Sequence, residues 1–350
     1  MKVTTTFMDF QRDPAALFPL MHGGDLGGAR ALFPGAVEPF IDLSTGINPY
    51  AYPLPDLPDA RFARLPAACE VEELAAIAAR AYGAPSADHV VCAPGTQILL
   101  PLVARLAPPG RAAILGPTYA EHRRAAALAG HDAAEVATLD QLRAARLAIV
   151  VNPNNPDGRI HAKSTLLDLA DGLGAQGGML VVDEAFADVI AAETSLADAT
   201  QRANLVVLRS FGKFFGLAGL RLGFALAAPS LAQQLRGLLG PWAISGPALH
   251  IGAIALADES WKAATRRRLA DAARRLDGLL DRARLAPVGG TSLYRLTRSQ
   301  DAARLFEHLG GRGILVRRFA DDATQLRWGL PKEEPHWQRL AAAIDAWSSR

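Results

Sequence analysis

The chain has 350 residues, which suggests two domains, and half of these residues are hydrophobic, so a disordered protein is excluded. With 37 Lys and Arg against 35 Asp and Glu, the formal net charge is +2, which argues against nucleic acid as the main partner. The two cysteines, Cys69 and Cys92, have no disulfide or zinc spacing, and neither a secretory signal nor an apolar span is visible, so we expect a cytoplasmic protein without membrane contact.

The first sixty residues are rich in Gly and Pro, which is typical of an ordered arm and not of a packed helix pair. Short apolar runs and helical periodicities then alternate. The predicted helices cover residues 70–82, 97–106, 119–129 and 166–173, and the predicted strands cover 89–93, 112–115, 147–151, 179–182 and 205–208. This alternation predicts an α/β layer with a mostly parallel sheet, whose ligands bind beyond the carboxyl ends of the strands.

The composition changes after about residue 256. An Arg-rich helix is predicted over 261–283, and strands follow at 292–296, 314–317 and 325–328. Acidic residues interleave the arginines, so a solvated helix face is favoured over a nucleic-acid stripe. We predict an arm at 1–50, a large domain at 51–255 and a small α+β domain at 256–350.

The stretch SFGKFFGLAGLRLGF at 210–224 carries the strongest chemical signal. A lysine follows a strand, and burial there would lower its pKa and free the amine of Lys213 for a Schiff base with an aldehyde. Ser210 and Arg221 would then bind an anionic group on that aldehyde. The alternative is a Gly-rich surface turn with a solvated lysine.

Three further polar clusters follow predicted strands. Asn155 lies in the NPNNP stretch, which could also be a plain turn. Asp183 could hold a metal, act as a base or pair with a protonated pyridine nitrogen. Gly95, Thr96 and Gln97 open a helix whose first amides suit a phosphate. A nucleotide hydrolase is excluded because the chain has no GxxxxGK[ST] loop, and no histidine spacing indicates a metal site.

This ordered set resembles the fold-type I pyridoxal-phosphate (PLP) enzymes, in particular the histidinol-phosphate aminotransferase branch. The resemblance implies a large domain with a mostly parallel, mixed seven-stranded sheet between helices, and a smaller α+β C-terminal domain. It implies that Lys213 forms the Schiff base with PLP, that Asp183 pairs with the pyridine nitrogen, and that Asn155 hydrogen-bonds the ring 3′-oxygen.

The same resemblance implies roles for further residues. Tyr119 would stack on the ring, and the cofactor phosphate would be held at the turn that begins with Gly95, by the amides of Thr96 and Gln97 and by Ser210 and Arg221. Tyr50 matches a tyrosine that reaches the phosphate from the partner subunit, which implies a homodimer with shared active sites. Two positions depart from the pattern: Phe186 stands where many relatives have Tyr, and Gly212 where a second Ser often precedes the lysine.

The substrate side is predicted from two further stretches. Arg327 matches the family position for a substrate-carboxylate arginine, and Arg317 is a second candidate, although both could be surface residues. The arm, HGGDLGGARALF followed by IDLSTGINPYAYP, resembles that of the threonine-phosphate decarboxylases of cobalamin biosynthesis. There, His22, Gly23 and Asn48 would help to bind a small phosphorylated amino acid, with Asn155 at the same site, while His22 could also be a plain loop cap.

The expected reaction converts L-threonine O-3-phosphate into (R)-1-aminopropan-2-ol O-2-phosphate and CO2. Transamination of histidinol phosphate or another amino acid stays open as the alternative, because the same lysine and aspartate would serve it. No metal is expected.

Overall fold

Two β-sheets organise residues 22–348, the part of the chain that the computed structural model describes. The first 21 residues of the predicted arm, and with them the predicted lack of a secretory signal, lie outside this part. The strands are β1 (Ile41–Leu43), β2 (Val90–Ala93), β3 (Arg111–Leu115), β4 (Asp132–Val136), β5 (Leu147–Val151), β6 (Met179–Asp183), β7 (Leu205–Ser210), β8 (Gly223–Ala227), β9 (Pro287–Thr291), β10 (Tyr294–Arg298), β11 (Ile314–Arg318) and β12 (Gln325–Trp328).

The helices pack against these sheets. They are α1 (Leu26–Leu32), α2 (Ala60–Ala63), α3 (Ala68–Tyr82), α4 (Thr96–Ala104), α5 (Glu121–Leu128), α6 (Lys163–Gly174), α7 (Phe211–Phe214), α8 (Pro229–Leu239), α9 (Gly246–Ala257), α10 (Glu259–Arg282), α11 (Ala302–Gly310) and α12 (Glu334–Ser348). No helix among residues 22–348 is long and apolar enough to span a membrane.

The larger sheet has seven strands in the order β2-β8-β7-β6-β5-β3-β4. Only β8 runs antiparallel to its neighbours, which confirms the mostly parallel, mixed sheet. The sequence analysis missed β8, because its first residue ends a Gly-rich stretch, and β4, because that edge strand is largely exposed and reads DAAEV. The central strands β5, β6 and β7 are buried on both faces, as the continuous apolar runs predicted.

Alternate side chains of these strands enter two apolar layers, one on each face of the sheet. In β5, for example, Val150 enters one layer and Ile149 the other. Helix α3 covers one face and is capped by Gly83, whose φ of 77° is a left-handed conformation that glycine adopts without strain. Because the sheet is covered on both sides, only its strand ends are open to a ligand.

The smaller sheet has the order β1-β11-β12-β10-β9. The predicted strand at 292–296 is wrong by two residues, because Leu293 lies in a hairpin turn in which its N–H donates to Thr291 Oγ1 at 3.1 Å. The arm contributes β1, which pairs in parallel with β11. The division of the chain into domains at residues 50 and 255 stays a prediction. Through β1, the arm is part of the C-terminal sheet.

Candidate functional site

Lys213 lies on α7, directly after β7 at the carboxyl edge of the large sheet. Burial, together with the nearby cationic Arg327, lowers the pKa of the Lys213 amine from 10.5 to about 8. Asn48 fixes the backbone here: its N–H donates to the Lys213 carbonyl at 2.9 Å, and its Nδ2 donates to the Phe214 carbonyl at 2.7 Å. The site therefore holds an amine that gives up its proton far more readily than an ordinary lysine.

Asp183 ends β6 and is buried beside His122. Its Oδ2 accepts from His122 Nε2 at 2.9 Å, and its Oδ1 accepts from the Ala185 N–H at 2.9 Å. The His122 ring in turn meets the Tyr119 ring edge-on at a centroid distance of 5.9 Å. This arrangement holds a carboxylate in one orientation at the strand tip, where it can pair with a protonated nitrogen.

A cradle for an anion forms where α4, β7 and β8 meet. Gly95 caps α4 with a φ of 88°, and the first amides of that helix have no partner within it. A Cβ on Gly95 would lie 2.6 Å from Arg221 Nη2, and one on Gly223 would lie 2.7 Å from the Thr96 nitrogen. Ser210 pairs with Gly223 across the two strands, so Thr96, Ser210 and Arg221 lie close together. We call this turn the phosphate cradle.

Two arginines lie opposite each other on neighbouring strands of the small sheet, Arg317 on β11 and Arg327 on β12. Arg327 is buried, and burial lowers its pKa to about 10. Its Nη2 donates to the Ser44 carbonyl at 2.9 Å and its Nη1 to Asn155 Oδ1, while its Nε has no partner. A buried guanidinium held by neutral oxygens retains its charge for an incoming carboxylate.

Phe186 forms an apolar wall beside the lysine. Its ring lies 5.8 Å from Lys213 Nζ and packs edge-on against Tyr294 at 5.1 Å. A Cβ on Gly46 would come within 2.9 Å of both rings. Tightly packed carbon atoms therefore form this wall. Position 186 has no hydroxyl of the kind that a tyrosine would supply.

Gly212, the second departure, also lies in tight surroundings. A Cβ at this position would come within 2.8 Å of the Ala218 Cα. The loop that returns toward Arg221 therefore fills the space that a serine side chain would take.

The N-terminal segment reaches the same region. His22 Nε2 hydrogen-bonds Glu121 Oε1 at 3.1 Å, and its ring centroid lies 6.0 Å from that of Tyr119. Gly23 passes so close to Ser44 that a Cβ would meet the Ser44 carbonyl oxygen at 2.3 Å, which explains the small residue. The predicted residues His22 and Gly23 therefore lie on the Tyr119 side of the site.

Two predicted residues have other contacts within this chain. Asn48 is buried and uses its side chain on the backbone of Phe214 and Tyr50. The hydroxyl of Tyr50 donates to the Pro331 carbonyl at 3.4 Å, and its ring lies under the Arg268 guanidinium at 3.6 Å. Asn48 thus holds the backbone of the turn that carries Lys213. The Tyr50 side chain faces the small domain of its own chain.

The sequence places His122, beside Glu121, either near the cofactor or in a purely structural position, gives Glu121 no role of its own, and points only to the backbone of Gln97. The Gln97 side chain links two site residues: its Oε1 accepts from the Tyr119 hydroxyl at 3.0 Å, and its Nε2 donates to Glu121 Oε2 at 2.8 Å. The sequence feature that could have indicated these roles is the run of Tyr119, Glu121 and His122, three polar side chains at the start of a helix that follows a strand of the large sheet.

Comparisons with known proteins identify the family of the chain and agree with its fold. The chain matches the family described as aminotransferase class I and II over residues 68–343. It is 41% identical to a threonine-phosphate decarboxylase of Pseudomonas aeruginosa over 93% of this chain and 97% of that protein. It is 42% identical to one of a Sinorhizobium species over 93% and 98%. A crystal structure of histidinol-phosphate aminotransferase from Sinorhizobium meliloti in complex with pyridoxal-5′-phosphate is similar at a TM-score of 0.78, with 20% identity and 98% and 99% of the two chains covered.

Proposed function

The chain belongs to the aminotransferase class I and II family, and we propose that it is a PLP-dependent enzyme that converts L-threonine O-3-phosphate into (R)-1-aminopropan-2-ol O-2-phosphate and CO2. Its place would then be cobalamin biosynthesis, where the threonine-phosphate decarboxylases act. The identity of 41–42% to two such enzymes over nearly the whole chain supports this choice within the family.

The residues present fit the cofactor. The phosphate cradle, in which Gly95 and Gly223 leave no space for a Cβ, suits a phosphate bound by amides and a guanidinium. Asp183, held by His122, suits a pyridine nitrogen, and the amine of Lys213, with its pKa near 8, suits an aldehyde. When bound, PLP supplies that aldehyde and a conjugated ring that takes up the electron pair left by the departing CO2.

The observation that carries the substrate assignment is the number of anion-binding groups outside the phosphate cradle. Arg317 and Arg327 lie opposite each other on β11 and β12, and His22 lies against Tyr119. A phosphorylated amino acid has two anionic groups to satisfy, a carboxylate and a phosphate. We assign the carboxylate to the buried Arg327 and the phosphate to Arg317 and His22.

Each residue then has a physical task. Arg327 holds the carboxylate in the orientation that its bond to Cα needs for cleavage, and Asn155 fixes Arg327 in turn. Phe186 and Tyr294 exclude water from the lysine side of the site. Lys213 holds the proton that Cα receives after CO2 has left, since no other amine of the described residues is assigned to this site.

We further propose a homodimer in which Tyr50 leaves its contact with the Pro331 carbonyl of its own chain and reaches the partner's phosphate cradle. Large apolar side chains lie exposed near the start of the large domain and around α9: Leu54, Phe62, Leu65 and Trp242 are 61–69% exposed. An apolar surface of this kind fits a second copy of the chain.

One incubation tests the proposed reaction. The PLP-loaded protein is mixed with L-threonine O-3-phosphate in the absence of a keto acid, and CO2 and aminopropanol phosphate are measured. We expect release over many turnovers. Turnover only when histidinol phosphate and a keto acid are supplied would instead assign the protein to the aminotransferases.

A further inference from the structure

Glu121 is a buried carboxylate without a task in the reaction described above. Its side chain is 5% exposed, whereas that of its partner His22 is 45% exposed. Both carboxylate oxygens are used: Oε1 contacts His22, and Oε2 accepts from Gln97 Nε2 at 2.8 Å and from Arg124 Nη1 at 3.3 Å. Glu121 therefore touches the groups around the substrate and not the substrate itself.

The contact with Glu121 determines what His22 can offer to a ligand. Because a carboxylate only accepts hydrogen bonds, the Nε2 atom of His22 must be its protonated, donating nitrogen. The other nitrogen, Nδ1, is then the one left for the substrate, and it donates to an anion when the ring carries both protons. The same contact fixes an otherwise half-exposed ring at 6.0 Å from Tyr119.

We propose that Glu121 is the positioning residue that directs His22 toward the substrate phosphate, so that the pair selects phosphorylated over unphosphorylated amino acids. This inference rests on the proposed function and adds to it the origin of substrate selection. Gln97 holds the second carboxylate oxygen of Glu121 and also accepts a hydrogen bond from the Tyr119 hydroxyl. The first oxygen of Glu121 is thereby held in place to orient His22 of the N-terminal segment. His22, which lies 99 positions from Glu121 in the sequence, is thereby placed as a hydrogen-bond donor at the site.

The test measures binding to the PLP-loaded enzyme by the change in cofactor absorbance, with L-threonine O-3-phosphate and L-threonine as the two probes. In Glu121→Gln we expect the dissociation constant for the phosphorylated probe to rise about tenfold, which is about 1.4 kcal/mol. The constant for L-threonine should stay within twofold, and the absorbance maximum of the bound cofactor should not move. The matched control is Arg124→Ala, which removes another partner of the same carboxylate and should bind both probes as the wild type does.

A double-mutant cycle separates positioning from independent effects. His22→Ala should show the same selective loss, and the double variant should be no more than twofold weaker than His22→Ala, because Glu121 acts through His22. Wild-type affinity in Glu121→Gln, equal losses for both probes, or multiplied losses in the double variant would overturn the proposal. If the wild type releases no CO2 but Glu121→Gln still loses affinity for the phosphorylated probe alone, the proposed reaction fails and the Glu121 assignment stands.

Discussion

The substitution Gly95→Ala tests whether the turn before α4 is the phosphate cradle. Gly95 combines a φ of 88° with a close approach to Arg221, whose Nη2 would lie 2.6 Å from the new Cβ. Gly240 provides a matched control: its φ of 73° and ψ of −179° are close to the 88° and 158° of Gly95, but no atom lies within 4 Å of its Cβ position. The two alanine variants therefore share the backbone cost and differ in the displacement of Arg221.

The expected magnitudes follow from this difference. An alanine at positive φ with an extended ψ costs about 1–3 kcal/mol, so both variants should lose about that much free energy of unfolding. In Gly95→Ala the Arg221 guanidinium must also move away from the cradle. A charge-assisted hydrogen bond is worth about 1.5–3 kcal/mol, so the dissociation constant for PLP should rise about 10- to 100-fold in that variant alone.

Two assays give these quantities separately. Urea unfolding of the cofactor-free proteins measures the shared stability loss, and titration with PLP, followed by absorbance, measures cofactor affinity. The cradle assignment is refuted if Gly95→Ala binds PLP within twofold of the wild type. It is equally refuted if Gly240→Ala, where no atom lies near the new Cβ, weakens PLP binding to the same extent.

Four further predictions concern buried charge. Lys213→Ala should remove the visible absorbance band of the bound cofactor and leave the far-ultraviolet circular dichroism unchanged; a retained band would contradict the lysine assignment. In the cofactor-free protein, the reaction of Lys213 with an aldehyde should accelerate as pH rises through about 8, because only the neutral amine reacts. Arg327→Met should move this midpoint to higher pH, since that cation helps to lower the pKa of Lys213, and an unchanged midpoint would exclude the coupling. Arg209→Met should lower the free energy of unfolding by about 3–5 kcal/mol in urea titrations, because Arg209 contacts the buried carboxylates of Glu184 and Asp188 at 2.9 Å each; a loss below about 1 kcal/mol would contradict this.

Much of the site could be predicted from the sequence because its residues stand directly after strongly apolar strands. The runs LAIVV and MLVV predicted β5 and β6, whose carboxyl ends lie side by side in a parallel sheet, with Val151 paired to Asp183. Asn155, Asp183 and Ser210 were then expected at one edge, and the structure places them there. The Gly-rich stretch before β8 indicated the chemistry of the site through its lysine and arginine. It did not reveal β8 itself, because glycine obscures the alternating pattern of a strand.

The alternation of elements, the buried central strands and the residue types at their ends follow from local periodicity and side-chain chemistry, so they can be predicted from the amino-acid sequence. Which distant segments meet depends on how the whole chain packs. The pairing of β1 with β11 brings the arm into the small sheet, and the contact between Arg327 and Asn155 joins residues 172 positions apart. Such contacts depend on strand order and on packing between sheets, for which no local pattern codes, so the contact between His22 and Glu121 could not be predicted from the sequence.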